Sequence, residues 1–349
     1  MIRQIKLAKN IIASNFSTLK RPYKLTFILT YKCNCKCRMC LIWKKSAQVN
    51  QELRTAEIER FFKNNSYFSW VNVSGGEIFL REDISDIIKI ISDNLPYLYL
   101  FDFPTNGILT EKIVKTVKDA LVFLKSMFVV TVSIDGPPHL HDKIRNFPGA
   151  WEKAIDTFLK LRSIKKRNFK VFLGLTISAF NEDYLEETYE SLRKAIPGFS
   201  FKDIHLNISH VSEHYYNNVD IPVLDKEKAV KAIRNFQRHK GVSFSRESFL
   251  ENIYQNRVSE YLSESRTPLP CKALNASCFV DPYGEVYPCS GFGEKLGALR
   301  STDFELEPIW NSSLAEKARE KIKDKQCPQC WTPCEAYQSV LGNLFFYEN

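Results

Sequence analysis

The chain has no uninterrupted run of 18 apolar residues, and its longest candidate, Ala120 to Ile134, is broken by Lys125. No segment therefore reads as a membrane-spanning helix. The N-terminus lacks a continuous apolar core followed by small residues at a cleavage site, which argues against an export signal. Acidic side chains are absent from residues 1–24, where Arg3, Lys6, Lys9, Lys20, Arg21 and Lys24 supply two thirds of the formal net charge of +9. The remainder is close to neutral, so a basic nucleic-acid-binding protein is not expected. Internal repeats and low-complexity tracts are missing too. What is present is ordinary globular composition, 44% hydrophobic and 26% charged over 349 residues, enough for one large domain and a smaller one. A cytoplasmic protein is the expectation.

Six runs that are continuously apolar or alternate with period two read as buried parallel strands: 25–30, 68–74, 98–103, 128–134, 170–177 and 203–209. Between them lie stretches of helical period. The first opens at Thr55-Ala-Glu-Ile58 with Thr55 as N-cap, followed by Asp83–Leu95, Thr110–Leu124, Ala150–Ile164 and Glu182–Ile196. Six strand–helix alternations imply an α/β fold with right-handed crossovers, either doubly wound or curled into a barrel. Chemistry in such sheets gathers at the C-terminal ends of the strands. That rule brings residues 33–40, Gly75–Glu77, Thr105-Asn106-Gly107, Ser133 and Asp135, Ser178 and Asn181, and Ser209 and His210 to one face. Residues 211–270 read as a mostly helical linker and 271–349 as a small cysteine-rich α+β domain. Its Asp281-Pro282-Tyr283-Gly284 turn suggests a hairpin with Cys278 and Cys289 near its two legs.

The ten cysteines fall into two groups: Cys33, Cys35, Cys37 and Cys40, then Cys271, Cys278, Cys289, Cys327, Cys330 and Cys334. A chain without an export signal keeps its thiols reduced, so dense clusters point to metal rather than disulfides. Cys327-Pro-Gln-Cys330 alone would suit a zinc knuckle. Cys33-x3-Cys37-x2-Cys40 does not, because it offers three ligands at uneven spacing and has no partner pair nearby. Three thiolates suit a [4Fe-4S] cube with one iron left open. Cys35, inside that loop, is not expected to be a ligand.

Cys33-x3-Cys37-x2-Cys40 after an apolar strand, Gly75-Gly76-Glu77 ending a second and Ser133-Ile-Asp135-Gly136 ending a fourth resemble the radical S-adenosylmethionine (SAM) superfamily over roughly residues 25–210. The resemblance implies a partial (β/α)6 TIM-like barrel. It implies a [4Fe-4S] cluster on Cys33, Cys37 and Cys40 that binds SAM, cleaves it to a 5′-deoxyadenosyl radical and so removes a substrate hydrogen. It assigns cofactor-binding roles to Gly75 and Gly76 through close backbone approach and to Glu77 as acceptor for the SAM amino group. Ser133 and Asp135 would meet the SAM carboxylate or ribose, Arg145 would pair with the carboxylate, and Asn181 would join the same pocket. One departure is Met39, which stands before the last cysteine where an aromatic residue is common.

The C-terminal cysteines resemble the SPASM and twitch auxiliary-cluster domains through Cys271-x12-Gly284-x4-Cys289 and Cys327-x2-Cys330. A full SPASM motif has seven cysteines and this segment six, so one auxiliary [4Fe-4S] cluster on Cys271, Cys289, Cys327 and Cys330 is expected, with Cys278 and Cys334 as alternates. The implied partners are SAM, a low-potential donor such as flavodoxin or ferredoxin, and a small-molecule, lipid, saccharide or peptide substrate. The 24 residues before the first strand are too few for a fused peptide-recognition domain. The chain also lacks the Gly-Arg-Arg tail of molybdopterin-precursor synthases. His210, His214, Tyr215 and Tyr216 follow the sixth strand and are candidates for substrate contact. Ile5, Ala8, Ile12, Phe16 and Leu19 share one helical face of the basic N-terminal segment. That face either rests on an anionic membrane or packs across the bottom of the barrel, and packing is the favoured reading. The alternative for the whole chain is a zinc-ribbon protein that binds nucleic acid or membrane.

Overall fold

The computed structural model describes residues 2–241 and 246–345. Nine strands form one sheet: β1 (Lys24–Ile28), β2 (Trp70–Ser74), β3 (Leu100–Thr105), β4 (Met127–Ser133), β5 (Phe169–Ile177), β6 (Ile204–Ile208), β7 (Ser277–Val280), β8 (Glu285–Tyr287) and β9 (Gly297–Ala298). Their spatial order is β6-β5-β4-β3-β2-β1-β7-β8-β9. The first six are parallel and neighbours in chain order. Right-handed crossovers that never reverse direction place every connecting helix on the same side of the sheet. The other side then curls into a lumen, so this is the open partial barrel and not a doubly wound sheet. Alternation along the strands follows. Phe101, Phe103, Phe128, Val130 and Val132 are buried against the helices, whereas Asp102, Val129, Thr131 and Ser133 face the lumen and are only half-buried.

The cysteine-rich segment adds to this same sheet. β7 pairs in parallel with β1, from Lys24 opposite Ser277 to Phe27 opposite Val280, and β8 returns antiparallel beside it. Asp281 shapes the hairpin turn by accepting the amides of Tyr283 and Glu285, both at 2.9 Å. Gly284 takes φ +82° there, a conformation that favours a residue without Cβ. Residues 211–270 contain the helices Lys226–Lys240 and Arg246–Glu264, and Glu251 of the second accepts the Leu206 amide of β6 at 3.2 Å.

Two local expectations are corrected. The helix Thr55–Asn64 is capped by Arg54, whose amide is accepted by Glu57 at 2.8 Å. Thr55 instead donates its hydroxyl to Asp83 at 2.6 Å, because the Arg81–Asp83 ion pair brings a carboxylate within reach. The N-terminal helix Ile2–Phe16 does lie across the lower end of the barrel, but with the opposite face inward. Leu7 and Ile11 pack on Tyr23, Trp70, Ala276, Tyr337 and Leu341, and Ser14 and Asn15 are buried. Ile5, Ala8, Ile12 and Phe16 point away from the protein and only Leu19, beyond the helix, packs as expected. Among the described residues no helix is long and apolar enough to cross a membrane.

Asn65 ties the barrel to the C-terminal segment. Its amide donates to Phe61 O and Phe304 O and accepts from the Leu306 amide, all within a buried environment. Asn65→Ala strands those groups, and chemical denaturation should show a loss of about 2–3 kcal/mol of stability.

Candidate functional site

The cysteine loop follows β1 and is held on three sides, on two of them by backbone. On the β2 side, Gly76 N–H donates to Thr30 O at 2.9 Å and Glu77 N–H to Lys32 O at 2.8 Å. A Cβ at Gly75 would lie 2.5 Å from Thr30 O, and one at Gly76 only 2.1 Å from Lys32 O. The two glycines are therefore what lets the strand end lie flat against the loop. On the β4 side, Lys36 N–H and Arg38 N–H donate to Arg145 O and Ile144 O, at 3.1 and 2.9 Å. Those are carbonyls that the last turn of the helix Pro138–Arg145 cannot satisfy internally. On the β3 side, Asn106 donates to the Asn34 side chain at 2.7 Å.

Glu77 is buried, and its carboxylate accepts from Thr105 Oγ1 at 3.0 and 3.1 Å, the Asn106 amide at 2.8 Å and the Phe79 amide at 3.3 Å. Burial pushes its pKa up to about 7 against those hydrogen bonds. Three donors, the Thr105 hydroxyl and the Asn106 and Phe79 amides, hold the carboxylate in place, and its acceptor sites outnumber them.

Arg145 reaches from the helix end into the loop. Its Nη2 pairs with Asp135 at 2.5 Å and its Nη1 donates to Cys37 Sγ at 3.8 Å. Burial would lower the pKa of the guanidinium, but Asp135 and the thiols of Cys37, Cys35 and Cys33 more than offset this and keep it charged. Cys37 is pulled down to about 7, mainly by a hydrogen bond from Cys35 working against burial, with Arg145 assisting. Cys35 is fully buried, and its pKa is raised by its hydrogen bonds to Cys33 and Cys37 and by burial. His141 Nδ1 accepts the Asp135 amide at 3.0 Å, and burial, then Arg145, keep the imidazole neutral. Asn181 donates to Asp135 O at 2.8 Å and Thr176 O at 2.9 Å and accepts the Ser178 amide at 2.8 Å, so it latches β4 to β5 with no valence to spare. Ser133 is half-buried at the end of β4, opposite Gly174. Arg145 Nε, Asp135 Oδ1 and His141 Nε2 are buried without a hydrogen-bond partner. Native proteins rarely leave such atoms unpaired, so these three groups suit a polar ligand such as the amino, carboxylate or hydroxyl groups of SAM. Cys33, Cys35, Cys37 and Cys40 pack together with Ile108, Phe147 and Ala150, an apolar surround that suits a thiolate-bound cluster.

The second cysteine group divides. Cys271, Cys289, Cys327 and Cys330 lie within electrostatic reach of one another. A Cβ on Gly291 would touch Cys330 Sγ at 3.8 Å and Cys289 Sγ at 4.0 Å. Cys278 sits opposite Leu25 of β1, so it faces the helix layer, where it packs in the main core. Cys334 lies toward Lys24 and Asp102 of the lumen. His210 and His214 both bond backbone beside this group: His214 Nε2 bonds Cys289 O at 3.1 Å, and His210 bonds the Trp331 backbone while its Nε2 is buried without a partner. Burial lowers both to about 4. Tyr215 and Tyr216, with ring centroids 4.5 Å apart, lie between the two groups, and Tyr216 senses Cys40, Cys334 and Cys330. Among the described residues no three Cys, His, Asp or Glu side chains close on one point as they do around a single ion. A cubane binds its thiolates at separate irons and does not require it.

The sequence reading did not single out Asn34 or His141. Asn34 carried no signal beyond its place in the loop, and His141 none beyond its place four residues before Arg145.

Residues 27–192 match the family model of the radical SAM superfamily, and residues 271–335 match that of SPASM, an iron–sulfur cluster-binding domain. The antilisterial bacteriocin subtilosin biosynthesis protein AlbA of Bacillus subtilis is 23% identical over 319 residues, which is 88% of this chain and 63% of AlbA. A probable GTP 3′,8-cyclase of Methanocaldococcus jannaschii is 29% identical over 221 residues, 62% of this chain and 70% of the cyclase. The chain thus spans less than two thirds of AlbA. Streptococcus suis SuiB bound to precursor peptide SuiA superposes with a TM-score of 0.58 at 14% identity, over 99% of this chain and 77% of SuiB. anSMEcpe with bound AdoMet and the Cp18Cys peptide does so with a TM-score of 0.56 at 18% identity, over 85% and 82%. These likenesses show the shared fold. The chain belongs to the radical SAM superfamily. Within it, the chain is of the kind that carries a SPASM domain, and its cofactors are a [4Fe-4S] cluster with SAM and auxiliary iron–sulfur. The zinc-ribbon reading is overturned by these matches.

Two outcomes follow from the geometry. Gly76→Ala forces the loop away from Lys32, and iron analysis after anaerobic reconstitution should fall by about four per chain, the content of one cluster. Glu77→Gln should change the pH profile of stability. Because burial raises the Glu77 pKa, wild type loses stability as pH rises from its unfolded value near 4.5 to about 7. Denaturation at intervals across that window should show the variant gaining on wild type with rising pH.

Proposed function

We propose that the protein reductively cleaves SAM at a cluster held by Cys33, Cys37 and Cys40 and uses the resulting radical to oxidise or mature a peptide, with one auxiliary cluster on Cys271, Cys289, Cys327 and Cys330. The observation that carries this reading is the cysteine loop locked onto Gly75–Gly76 with Arg145 aimed at Cys37 and buried polar groups beside it awaiting a ligand. The bound cluster supplies the electron that breaks the sulfonium bond and yields a 5′-deoxyadenosyl radical. The chain supplies position and water exclusion. Gly75 and Gly76 form a flat wall for the methionyl part of SAM. Glu77 acts through that wall, which its bonds to Thr105 and Asn106 hold in place. Arg145 and Asp135 meet the SAM carboxylate and hydroxyls together with Ser133, and Asn181 fixes the Asp135 backbone. Cys278, on the helix side of β7, and Cys334, toward the lumen, are spare thiols.

A peptide is preferred among the candidate substrates because the match to AlbA, a bacteriocin biosynthesis protein, covers 88% of this chain, whereas the match to the cyclase covers 62%. A low-potential flavodoxin or ferredoxin is the electron donor, in a reducing cytoplasmic setting. Residues 1–24 are the part of the chain suited to peripheral membrane contact.

The test is iron, sulfide and 5′-deoxyadenosine analysis on anaerobically reconstituted wild type, Cys37→Ala and a Cys33/Cys37/Cys40 triple-Ala variant. Wild type should hold about eight irons and the triple variant about four. Both variants should lose reductant-dependent 5′-deoxyadenosine formation; its persistence in either would sink the proposal.

A further inference from the structure

The expectation that failed for the N-terminal helix points to a surface. On a helix of 3.6 residues per turn, Ile2, Ile5, Ile12 and Phe16 fall on one face and Leu7, Ile11, Ser14 and Asn15 on the opposite one. The second face is the buried one, so the more apolar face is outward: Ile2 is 70%, Ile12 50% and Phe16 65% exposed. Phe16 stacks with the exposed Phe345, centroids 5.6 Å apart, which prolongs the apolar strip to the end of the helix. Lys9 lies within this strip, and Lys20 and Arg21 are exposed beyond it.

The charge around this strip is predominantly positive. Residues 157–181 are free of acids and carry six basic residues, as many as residues 1–24: Lys160, Arg162, Lys165, Lys166, Arg167 and Lys170. Lys165, Lys166 and Arg167 are exposed in the loop that enters β5, and Lys125 is exposed at the entry to β4. The N-terminal helix lies at the entries to β1, β2 and β3, with Arg3 donating to Pro96 O at 3.1 Å. All of these mark the N-terminal ends of the strands. Two strand spacings, about 10 Å, separate the entries to β3 and β5. Three of the acids at this end are paired, Asp93 with Lys89, Asp203 with Arg162 and Glu307 with Arg21, while Glu305 beside Glu307 is exposed. Helix C-termini attract basic residues by their dipole, which accounts for Lys160 and Arg162 in a last turn. It does not account for bases in an N-terminal helix that also presents isoleucines to solvent.

We propose that this lower end of the barrel docks on an anionic lipid surface, with the Ile2–Ile5–Ile12–Phe16 strip entering the headgroup region and Lys9, Lys20, Lys125 and Lys165–Arg167 meeting the lipid charges. An apolar strip flanked by exposed lysines and arginines is what interfacial binding requires, and each added cation strengthens it. The orientation then follows from the fold. The cysteine loop lies at the other end of strands five to nine residues long, roughly 17–30 Å away. The catalytic mouth therefore faces away from the bilayer and takes its substrate from solution. This inference does not depend on which substrate the site takes.

The test is co-sedimentation of the reconstituted full-length protein with vesicles of phosphatidylcholine alone and of phosphatidylcholine with equal phosphatidylglycerol, at low and high salt. Wild type should partition onto the anionic vesicles, release with salt and ignore the neutral ones. Ile5→Glu/Ile12→Glu and Lys165→Glu/Lys166→Glu/Arg167→Glu should each lower partitioning by about tenfold or more, with unchanged circular dichroism and iron content. Absence of partitioning, or variants that partition like wild type, overturns the proposal. So does a wild type that binds RNA more tightly than vesicles and loses this only in the lysine variant, or an Ile5→Glu/Ile12→Glu chain that light scattering shows has turned from dimer to monomer.

Discussion

Two hydrogen bonds govern the chemistry-bearing end of this barrel: Gly76 N–H to Thr30 O and Glu77 N–H to Lys32 O. They continue the β1–β2 ladder past the last paired residues, Ile28 and Ser74, so the cysteine loop starts as an extension of the sheet and not as a free connection. The contact tolerates no side chain at either glycine. Once the loop is anchored there, its remaining amides reach the carbonyl end of the helix Pro138–Arg145, and Arg145 arrives beside Cys37 because its own carbonyl is one of those anchors. Position, charge and thiol chemistry at the site are all downstream of a backbone contact.

β1 also organises the rest of the molecule. It pairs with β2 on one side and β7 on the other, so both cysteine groups hang from neighbouring strands that share a register. The space between them is lined by Tyr215 and Tyr216, the first bonded through its hydroxyl to Ser74 at 3.0 Å and the second accepting the Leu41 amide at 2.9 Å. Pairing of β1 with both β2 and β7 fixes the separation of the two cysteine groups through one hydrogen-bonded sheet.

The six barrel strands were legible because buried parallel strands produce compact runs that are continuously apolar or alternate with period two, and each expected run lies within two residues of an observed strand. The three-cysteine loop and the paired glycines were legible because they are local strings. What escaped was non-local. Nothing near Ser277–Val280 says that it will lie beside Lys24–Phe27, some 250 residues earlier. Thr55 reads as a cap until Asp83, 28 residues on, claims its hydroxyl. The N-terminal helix has two faces of mixed character, and its orientation was settled by Trp70, Tyr337 and Leu341, not by its own periodicity. Glu77 and Asn181 stand out in the sequence by their places at strand ends, but the bonds they make to Asn106 and to Asp135 are contacts that no string reveals.

The anchoring of the cysteine loop also bears on who gathers the ligands. Its shape rests on amide–carbonyl bonds and the Asn34–Asn106 contact, none of which involves a thiol. In zinc fingers the metal itself draws its ligands together as the chain folds. Here the polypeptide's own bonds set out the loop, so the spacing of its thiols is written into the sheet and the helix that flank it.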